Sequence, residues 1–202
     1  MKSKTYEWGP ILQKYTVTKQ HFSEWWPHVD AANIEYKKRL AGHVKYQVGF
    51  NDELKLIFSN IFAPYFDDYL RIYSERYNGK HFDGLQLESL WINHMQQYDY
   101  NQPHIHAGHL SFVYYVQIPN ELIAEAHAYQ GQGGAPGDVI FIYGENSYIN
   151  HPPSQICEHQ CSPRAGDLYI FPAMMRHAVL PFKSPCTRVS MSGNLSFKSP
   201  VE

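Results

Sequence analysis

The sequence predicts an α+β fold in one domain, 1–202, with helices first and an antiparallel sandwich or barrel second. Apolar residues recur at spacings of three and four between Leu54 and Tyr65, which is the periodicity of an amphipathic helix. After residue 84, short runs rich in β-branched and aromatic residues alternate with clusters of Gly, Pro and Asn. Helices precede strands without βαβ alternation, so we expect 1–84 to pack as strands and helices on a strand core at 85–198.

The region before the long helix is expected to be short and mixed. Strand-like stretches lie at 11–17 and 44–50, and the polar stretch 31–39 could form a helix. Asn51 is expected to cap the long helix, because an Asn side chain accepts a hydrogen bond from the first helical turn.

Pro64 is expected to divide the long helix, because proline lacks the backbone N–H that the helix interior needs. The second segment would run over 65–77. Asn78 and Gly79 then suit a helix C-cap, since both residues tolerate the left-handed conformation.

Six strand-like runs follow at the spacing of an antiparallel sheet protein. They lie at 86–95, 110–118, 126–130, 139–143, 167–171 and 187–197. The glycine-rich stretch 131–137 is expected to be a loop at a hairpin tip, because it is not set between a strand and a helix as a phosphate-binding loop would be.

Composition excludes several classes of protein. Hydrophobic residues make up 44% of the chain and aromatic residues 15%, which indicates a globular protein. The net charge of −2 gives no reason to expect nucleic acid or an anionic membrane as a partner. No apolar run approaches the roughly 20 residues of a membrane span, and the start lacks an apolar signal segment. Three cysteines are too few for a disulfide framework, so a cytoplasmic location is expected.

Histidine is abundant, with 12 residues, and three of them suggest a metal site. His104 and His106 are two positions apart, so an extended strand would present both imidazoles on one face. His177 follows the predicted strand that ends at Pro172. Imidazole is a common metal ligand, so these residues are candidate ligands.

The last predicted strand has two chemically different faces. One face carries Arg188, Ser190, Ser192 and Asn194, and the other carries Val189, Met191 and Leu195. An arginine among small hydroxyl groups suits a bidentate grip on a carboxylate, because its planar fork matches two oxygens. The phenol of Tyr115, in the run 110–118, could complete such a pocket.

These residues resemble the HxD…H…R/K signature of the Fe(II)/2-oxoglutarate dioxygenases. The resemblance covers about 86–197 and is most similar to members that are common in bacteria and tailed phages. It is carried by Trp91-Ile92-Asn93, by the Asn-x-x-His-x-His of 101–106, by His177 and Arg188, by the strands 110–116 and 166–172, and by Leu40–His43.

The resemblance implies a double-stranded β-helix (jelly roll) supported by N-terminal helices. It further implies that His104, His106 and His177 bind Fe(II), and that the enzyme hydroxylates a substrate, which it does not identify, while O2 and 2-oxoglutarate are consumed. The residues it assigns to 2-oxoglutarate are Arg188, Tyr115, Ser192, Ser190 and Asn194. We also expect Trp91, Asn93 and Ser111 in the substrate pocket, since Trp91 and Asn93 share one strand face. If the chain is phage-encoded, the expected location is the host cytoplasm. The protein could also form a homodimer.

Position 106 departs from the family pattern, which has a carboxylate there. Either His106 is a third histidine ligand, or water or another carboxylate, with Asp99 nearest in sequence, completes the site. His109 is a weaker competitor because its strand parity is opposite to that of His106.

Two other functions and one structural metal site stay open at this point. A cupin-type dioxygenase or isomerase would not use 2-oxoglutarate, but its first motif has Glu four residues after the second His, where this chain has Leu110. A non-catalytic jelly-roll binding module would not need Arg188. A zinc knot at Cys157, His159 and Cys161, with His151, has irregular spacing for a structural site.

Overall fold

The computed structural model describes residues 9–77, 82–144 and 157–198, which form helices and antiparallel strands. The strands are β1 (Gln13–Thr16), β2 (Ile34–Glu35), β3 (Tyr46–Gly49), β4 (Leu85–Met95), β5 (Asn101–His104), β6 (Leu110–Gln117), β7 (Val139–Ile142), β8 (Glu158–Cys161), β9 (Asp167–Pro172), β10 (Arg176–Val179) and β11 (Arg188–Phe197). The α-helices are α1 (Lys19–Trp25), α2 (Asp52–Arg76) and α3 (Asn120–Ala128), and short 3-10 helices occupy Trp26–Ala31 and Lys37–Arg39.

The strands form two sheets. The larger sheet has the order β1-β9-β6-β11-β4-β3-β2, and the smaller has the order β5-β10-β7-β8. Every pairing between neighbours is antiparallel. The predicted mixture of helices with antiparallel sheets is therefore confirmed.

Apolar side chains cover both faces of the larger sheet. On one face α2 packs against it, with Phe58 stacked on Phe112 of β6 at 5.4 Å between ring centres. On the other face the smaller sheet packs against it, with Phe141 of β7 in edge contact with Phe171 of β9 at 5.0 Å. Polar side chains that face the second layer must therefore bind one another or line a cavity.

Helix α2 is a single helix, so the predicted division at Pro64 is wrong. Its start is as predicted, because the Asn51 side chain accepts from Leu54 N–H at 2.9 Å. Pro64 lies inside the helix and is exposed. The buried face on either side of it, which includes Phe62 and Phe66, is continuous against the sheet. Packing of that face outweighs the one hydrogen bond that proline removes. Asn78 and Gly79 lie outside the described residues.

Replacing Pro64 with alanine is expected to raise the free energy of unfolding by about 1–2 kcal/mol. The substitution restores a backbone donor in the helix interior, and this gain is partly offset by a freer unfolded chain. Urea unfolding followed by circular dichroism measures the change. Asn60→Ala, at another exposed position of α2, controls for a general gain in helix propensity. A loss of stability in Pro64→Ala would show that the surrounding backbone has adapted to proline.

Other predicted elements differ from the structure. The run 126–130 lies in and just after α3, and the glycine-rich stretch 131–137 therefore links a helix to β7 and is no hairpin tip. The stretch 31–39 forms only short pieces around β2. The strands β5, β8 and β10 were not among the predicted runs, because each has only four residues and a largely polar or mixed sequence. No helix of the described residues is long and apolar enough to cross a bilayer.

Candidate functional site

Three histidines converge at one end of the smaller sheet. His104 ends β5 and lies opposite His177 of β10 in the strand register. His106 follows from the loop after β5, where its backbone N–H donates to Ala173 O at 2.9 Å. Nitrogen atoms of the three rings all lie within 4.8 Å of one another, and the Nε2 atoms of His106 and His177 are 3.2 Å apart. This spacing allows all three rings to contact one ion.

Backbone carbonyls orient two of these rings. His104 Nδ1 lies 2.8 Å from Gln102 O, and His177 Nδ1 lies 3.0 Å from Met175 O. A carbonyl oxygen only accepts hydrogen bonds, so Nδ1 carries the proton in both neutral rings. The lone pair that a metal needs is then on Nε2 of each ring.

Burial keeps the three rings neutral. Burial and the neighbouring histidines lower the pKa of His106 to about 3. The pKa of His177 falls to about 4, mainly through burial and also through His104. Burial likewise lowers the pKa of His104. Neutral imidazole is the form that binds metals, so the cluster is ready for an ion at neutral pH.

Within the described residues, no carboxylate belongs to this cluster. Asp99 instead accepts from the backbone N–H groups of Gln96 and Lys45, at 3.0 and 3.4 Å. His109 Nδ1 accepts from Phe197 N–H at 3.1 Å. Both alternatives to His106 as a ligand are thus engaged elsewhere. Cys157, His159 and Cys161 form no comparable cluster in the described part of the chain, and His151 lies outside it.

Arg188 is buried without an acidic partner. It is 3% exposed, and its Nη1 donates to Gly137 O at 2.8 Å. Its guanidinium carbon lies 5.4 Å from the ring centre of Tyr115, and burial lowers its pKa. Its Nε has no hydrogen-bond partner among the described residues. A buried guanidinium in this state is costly unless an anion joins it.

One cavity of about 130 Å³ joins the histidines to Arg188. Its walls include most of the residues that the sequence singled out: His104, His106, His177, Arg188, Tyr115, Ser190, Ser192, Trp91 and Asn93. Ser111 and Asn194 are not among the lining residues; they lie opposite each other in the register of β6 and β11, where Ser111 Oγ donates to Asn194 Oδ1 at 2.6 Å.

Sequence reasoning assigned no site role to the part of the wall that comes from before α2, although Leu40–His43 is one of the segments that carry the resemblance. Leu40, Ala41 and Gly42 line the cavity, and the segment is held by His43 N–H, which donates to Tyr100 O at 2.8 Å. Gly42 lies against the side chain of Asn101, so any Cβ there would clash. Gln47 of β3 also lines the cavity. The resemblance at Leu40–His43 was a signal for this segment, whereas Gln47 had none.

Comparisons with known proteins identify the family and the fold. The family model described as "Putative 2OG-Fe(II) oxygenase" matches residues 89–194, more than half of the chain. The chain is similar to a prolyl hydroxylase from Trichoplax adhaerens solved with a hypoxia inducible factor peptide fragment. The TM-score is 0.57 at 12% identity, over 92% of this chain and 82% of that one.

Two further solved structures are similar over nearly their whole length. A viral collagen prolyl hydroxylase from Paramecium Bursaria Chlorella virus-1 gives a TM-score of 0.54 at 13% identity, over 91% of this chain and 94% of that one. A Pseudomonas putida prolyl-4-hydroxylase gives 0.53 at 12% identity, over 94% and 93%. At such identities the likeness concerns the fold alone. No curated protein matches the chain.

Proposed function

This chain belongs to the 2OG-Fe(II) oxygenase family, and on that premise we propose that its histidine cluster holds the iron and Arg188 holds 2-oxoglutarate. The protein is an Fe(II)- and 2-oxoglutarate-dependent dioxygenase, an enzyme that takes 2-oxoglutarate and O2 as co-substrates. The proposal concerns which residues perform each task.

His104, His106 and His177 fit a divalent transition metal, since all three offer neutral imidazole nitrogens on one side of one cavity. The iron, when bound, supplies the redox chemistry that couples decarboxylation of 2-oxoglutarate to oxidation of a C–H bond. The carbonyls of Gln102 and Met175 keep the rings of His104 and His177 in the metal-binding tautomer.

The observation that carries the co-substrate assignment is the unpaired charge of Arg188. Among the described residues that line the cavity, none is Asp or Glu. A carboxylate of 2-oxoglutarate would supply the anion that the guanidinium lacks. Tyr115 OH also has no hydrogen-bond partner in the described part of the chain, and burial raises the pKa of Tyr115 to about 12. The phenol therefore keeps its proton and can donate to the same carboxylate. We assign Ser190 and Ser192 to this pocket as well.

Ser111 and Asn194 support the wall through their mutual hydrogen bond, and we assign them no direct contact with a ligand. Trp91 and Asn93 line the side of the cavity nearest β3 and are assigned to the substrate. The two facing antiparallel sheets suit a double-stranded β-helix, with 1–202 as one domain. The similar prolyl hydroxylases suggest a peptide as one candidate substrate.

Variants of His106 test whether a third histidine completes the metal site. His106→Ala is expected to lower Fe(II) affinity by more than about 100-fold, since it removes a direct ligand and not merely a group that orients one. His106→Asp is expected to keep the affinity of the native protein, because a two-His-one-carboxylate set also suits Fe(II). Anaerobic titration with Fe(II) measures both, and succinate release reports turnover.

The control variant is His109→Ala, which removes a nearby imidazole that the cluster does not use. Equal iron affinity in His106→Ala and the native protein would reject the three-histidine assignment and leave water in that position.

A further inference from the structure

Three polar side chains form a hydrogen-bonded row across the cavity wall, from β3 through β4 to β11. Gln47 Nε2 donates to Asn93 Oδ1 at 2.8 Å, and Asn93 Nδ2 donates to Ser192 Oγ at 3.3 Å. Gln47 and Asn93 are 5% and 6% exposed. They lie opposite each other in the register of β3 and β4, so the sheet itself fixes the row. All three residues line the cavity that contains the histidine cluster.

A backbone carbonyl determines which way both amides point. Asn93 Nδ2 lies 3.5 Å from Ser190 O, and a carbonyl oxygen only accepts hydrogen bonds. The nitrogen of the Asn93 amide must therefore face Ser190, and its oxygen must face Gln47. Gln47 then has to present its own nitrogen to Asn93. Its Oε1 is left over, and this oxygen has no hydrogen-bond partner among the described residues.

Neither co-substrate can supply the missing donor. An unpaired buried acceptor is unfavourable, so a donor is expected beside Gln47 Oε1 when the cavity is filled. Ionised 2-oxoglutarate carries two carboxylates and a ketone, all of which only accept hydrogen bonds. Dioxygen has no hydrogen to donate. Water can supply the donor in the ligand-free protein, and the substrate that is oxidised is the component that can supply it once the cavity is filled.

The surroundings also determine the charge of that donor. Among the described residues that line the cavity, Arg188 is a cation and none is an acid. The iron adds further positive charge when it is bound. Fe(II) and Arg188 together carry three positive charges against the two negative charges of 2-oxoglutarate, so the filled cavity keeps a net positive charge that disfavours an ammonium group beside Gln47. An uncharged N–H or O–H group meets no such penalty.

We propose that Gln47 is a specificity-determining residue, whose Oε1 accepts a hydrogen bond from an uncharged amide N–H or hydroxyl of the substrate. The inference rests on the proposed function, because it places the substrate in the cavity shared by the histidines and Arg188. Asn93 acts as a positioning residue that fixes the orientation of the Gln47 amide.

Two small amides that differ by one donor test this proposal directly. The protein is loaded with Zn(II), which supports no turnover, and with 2-oxoglutarate. It is then titrated with N-methylacetamide and with N,N-dimethylacetamide, and binding is followed by NMR. The native protein is expected to bind N-methylacetamide roughly two- to tenfold more tightly, the range for one net hydrogen bond. Methylammonium, a charged donor, is expected to bind more weakly than N-methylacetamide.

Gln47→Met removes the acceptor and keeps the length of the side chain, so the preference for N-methylacetamide is expected to disappear. Gln86→Met, at an exposed position of β4, is the matched control and should keep the preference. Circular dichroism confirms folding of both variants. Equal affinity of the native protein for the two amides, absence of saturable binding of either, or a preference that persists in Gln47→Met would overturn the proposal.

Calorimetric titrations of Zn(II) and 2-oxoglutarate on the same samples separate this inference from the proposed function. Both ligands are expected to bind Gln47→Met within about twofold of their native affinities, because the histidines and Arg188 are intact. Failure of the native protein to bind them would overturn the proposed function and this inference with it. If the native protein binds Zn(II) and 2-oxoglutarate but shows no preference for N-methylacetamide over N,N-dimethylacetamide, the inference alone is overturned.

Discussion

Replacing His177 with alanine is expected to abolish iron retention and, with it, release of succinate from 2-oxoglutarate. His177 is 6% exposed and lies between the other two histidines and the aromatic layer, with its ring centre 4.8 Å from that of Phe171. Loss of a group that only orients a ligand lowers metal affinity about 10- to 100-fold. Loss of a direct ligand is therefore expected to lower metal affinity by more than about 100-fold. Metal content after anaerobic loading and dialysis measures the effect.

His127→Ala is a suitable control, because it removes an exposed imidazole from α3 and leaves the cluster intact. Circular dichroism separates lost metal binding from lost folding in the His177 variant. A folded His177→Ala protein that holds one equivalent of iron as tightly as the native protein would rule out the cluster as the metal site.

Replacing Arg188 with methionine is expected to have two effects of opposite sign. Binding of 2-oxoglutarate should weaken by about 3–5 kcal/mol, which is the cost of removing one member of a buried charge pair. The ligand-free protein should become more stable, because methionine fills a similar volume without a buried charge that lacks a counter-ion. Its gain in unfolding free energy is expected to be about 1–4 kcal/mol.

Calorimetric titration of the iron-loaded protein measures the first effect, and the Tm without co-substrate measures the second. Arg188→Lys keeps the charge but not the fork, so its affinity should fall between those of the native protein and Arg188→Met. Arg164→Met, at an exposed position, should change neither quantity. Unchanged 2-oxoglutarate affinity in Arg188→Met would reject the assigned pocket. A lower Tm without co-substrate would show that Arg188 stabilises the fold by itself.

The alternation of β11 could be predicted from the sequence, because strand parity is a strong constraint when both faces are covered. Val189 and Met191 lie in the layer under α2, while Arg188 and Ser190 face the cavity. The sequence predicted that the three histidines converge, but it placed both His104 and His106 on one strand face. The strand β5 ends at His104, so His106 reaches the cluster from a loop and not from a strand face.

The rest could not be predicted because it depends on tertiary contacts. In the run around Ala126, Tyr129 suits a strand while the alanines suit a helix, and packing of Leu122, which is 3% exposed, against the second layer favours the helix. Gln47 gave no local signal, since a glutamine in a strand is usually solvated. Its role emerges only when β3 pairs with β4 and brings it beside Asn93.

The central position of β11 has a consequence for how this enzyme can change. The strand pairs with β4 and β6 along nearly its whole length, and its two faces serve different purposes. Point substitutions on the cavity face can alter ligand preference while leaving the opposite layer intact. Insertion or deletion of one residue would exchange the faces, moving Met191 into the cavity and Arg188 toward α2. Substitution of single side chains on the cavity face can therefore change specificity, whereas changing the length of this strand would disrupt both faces.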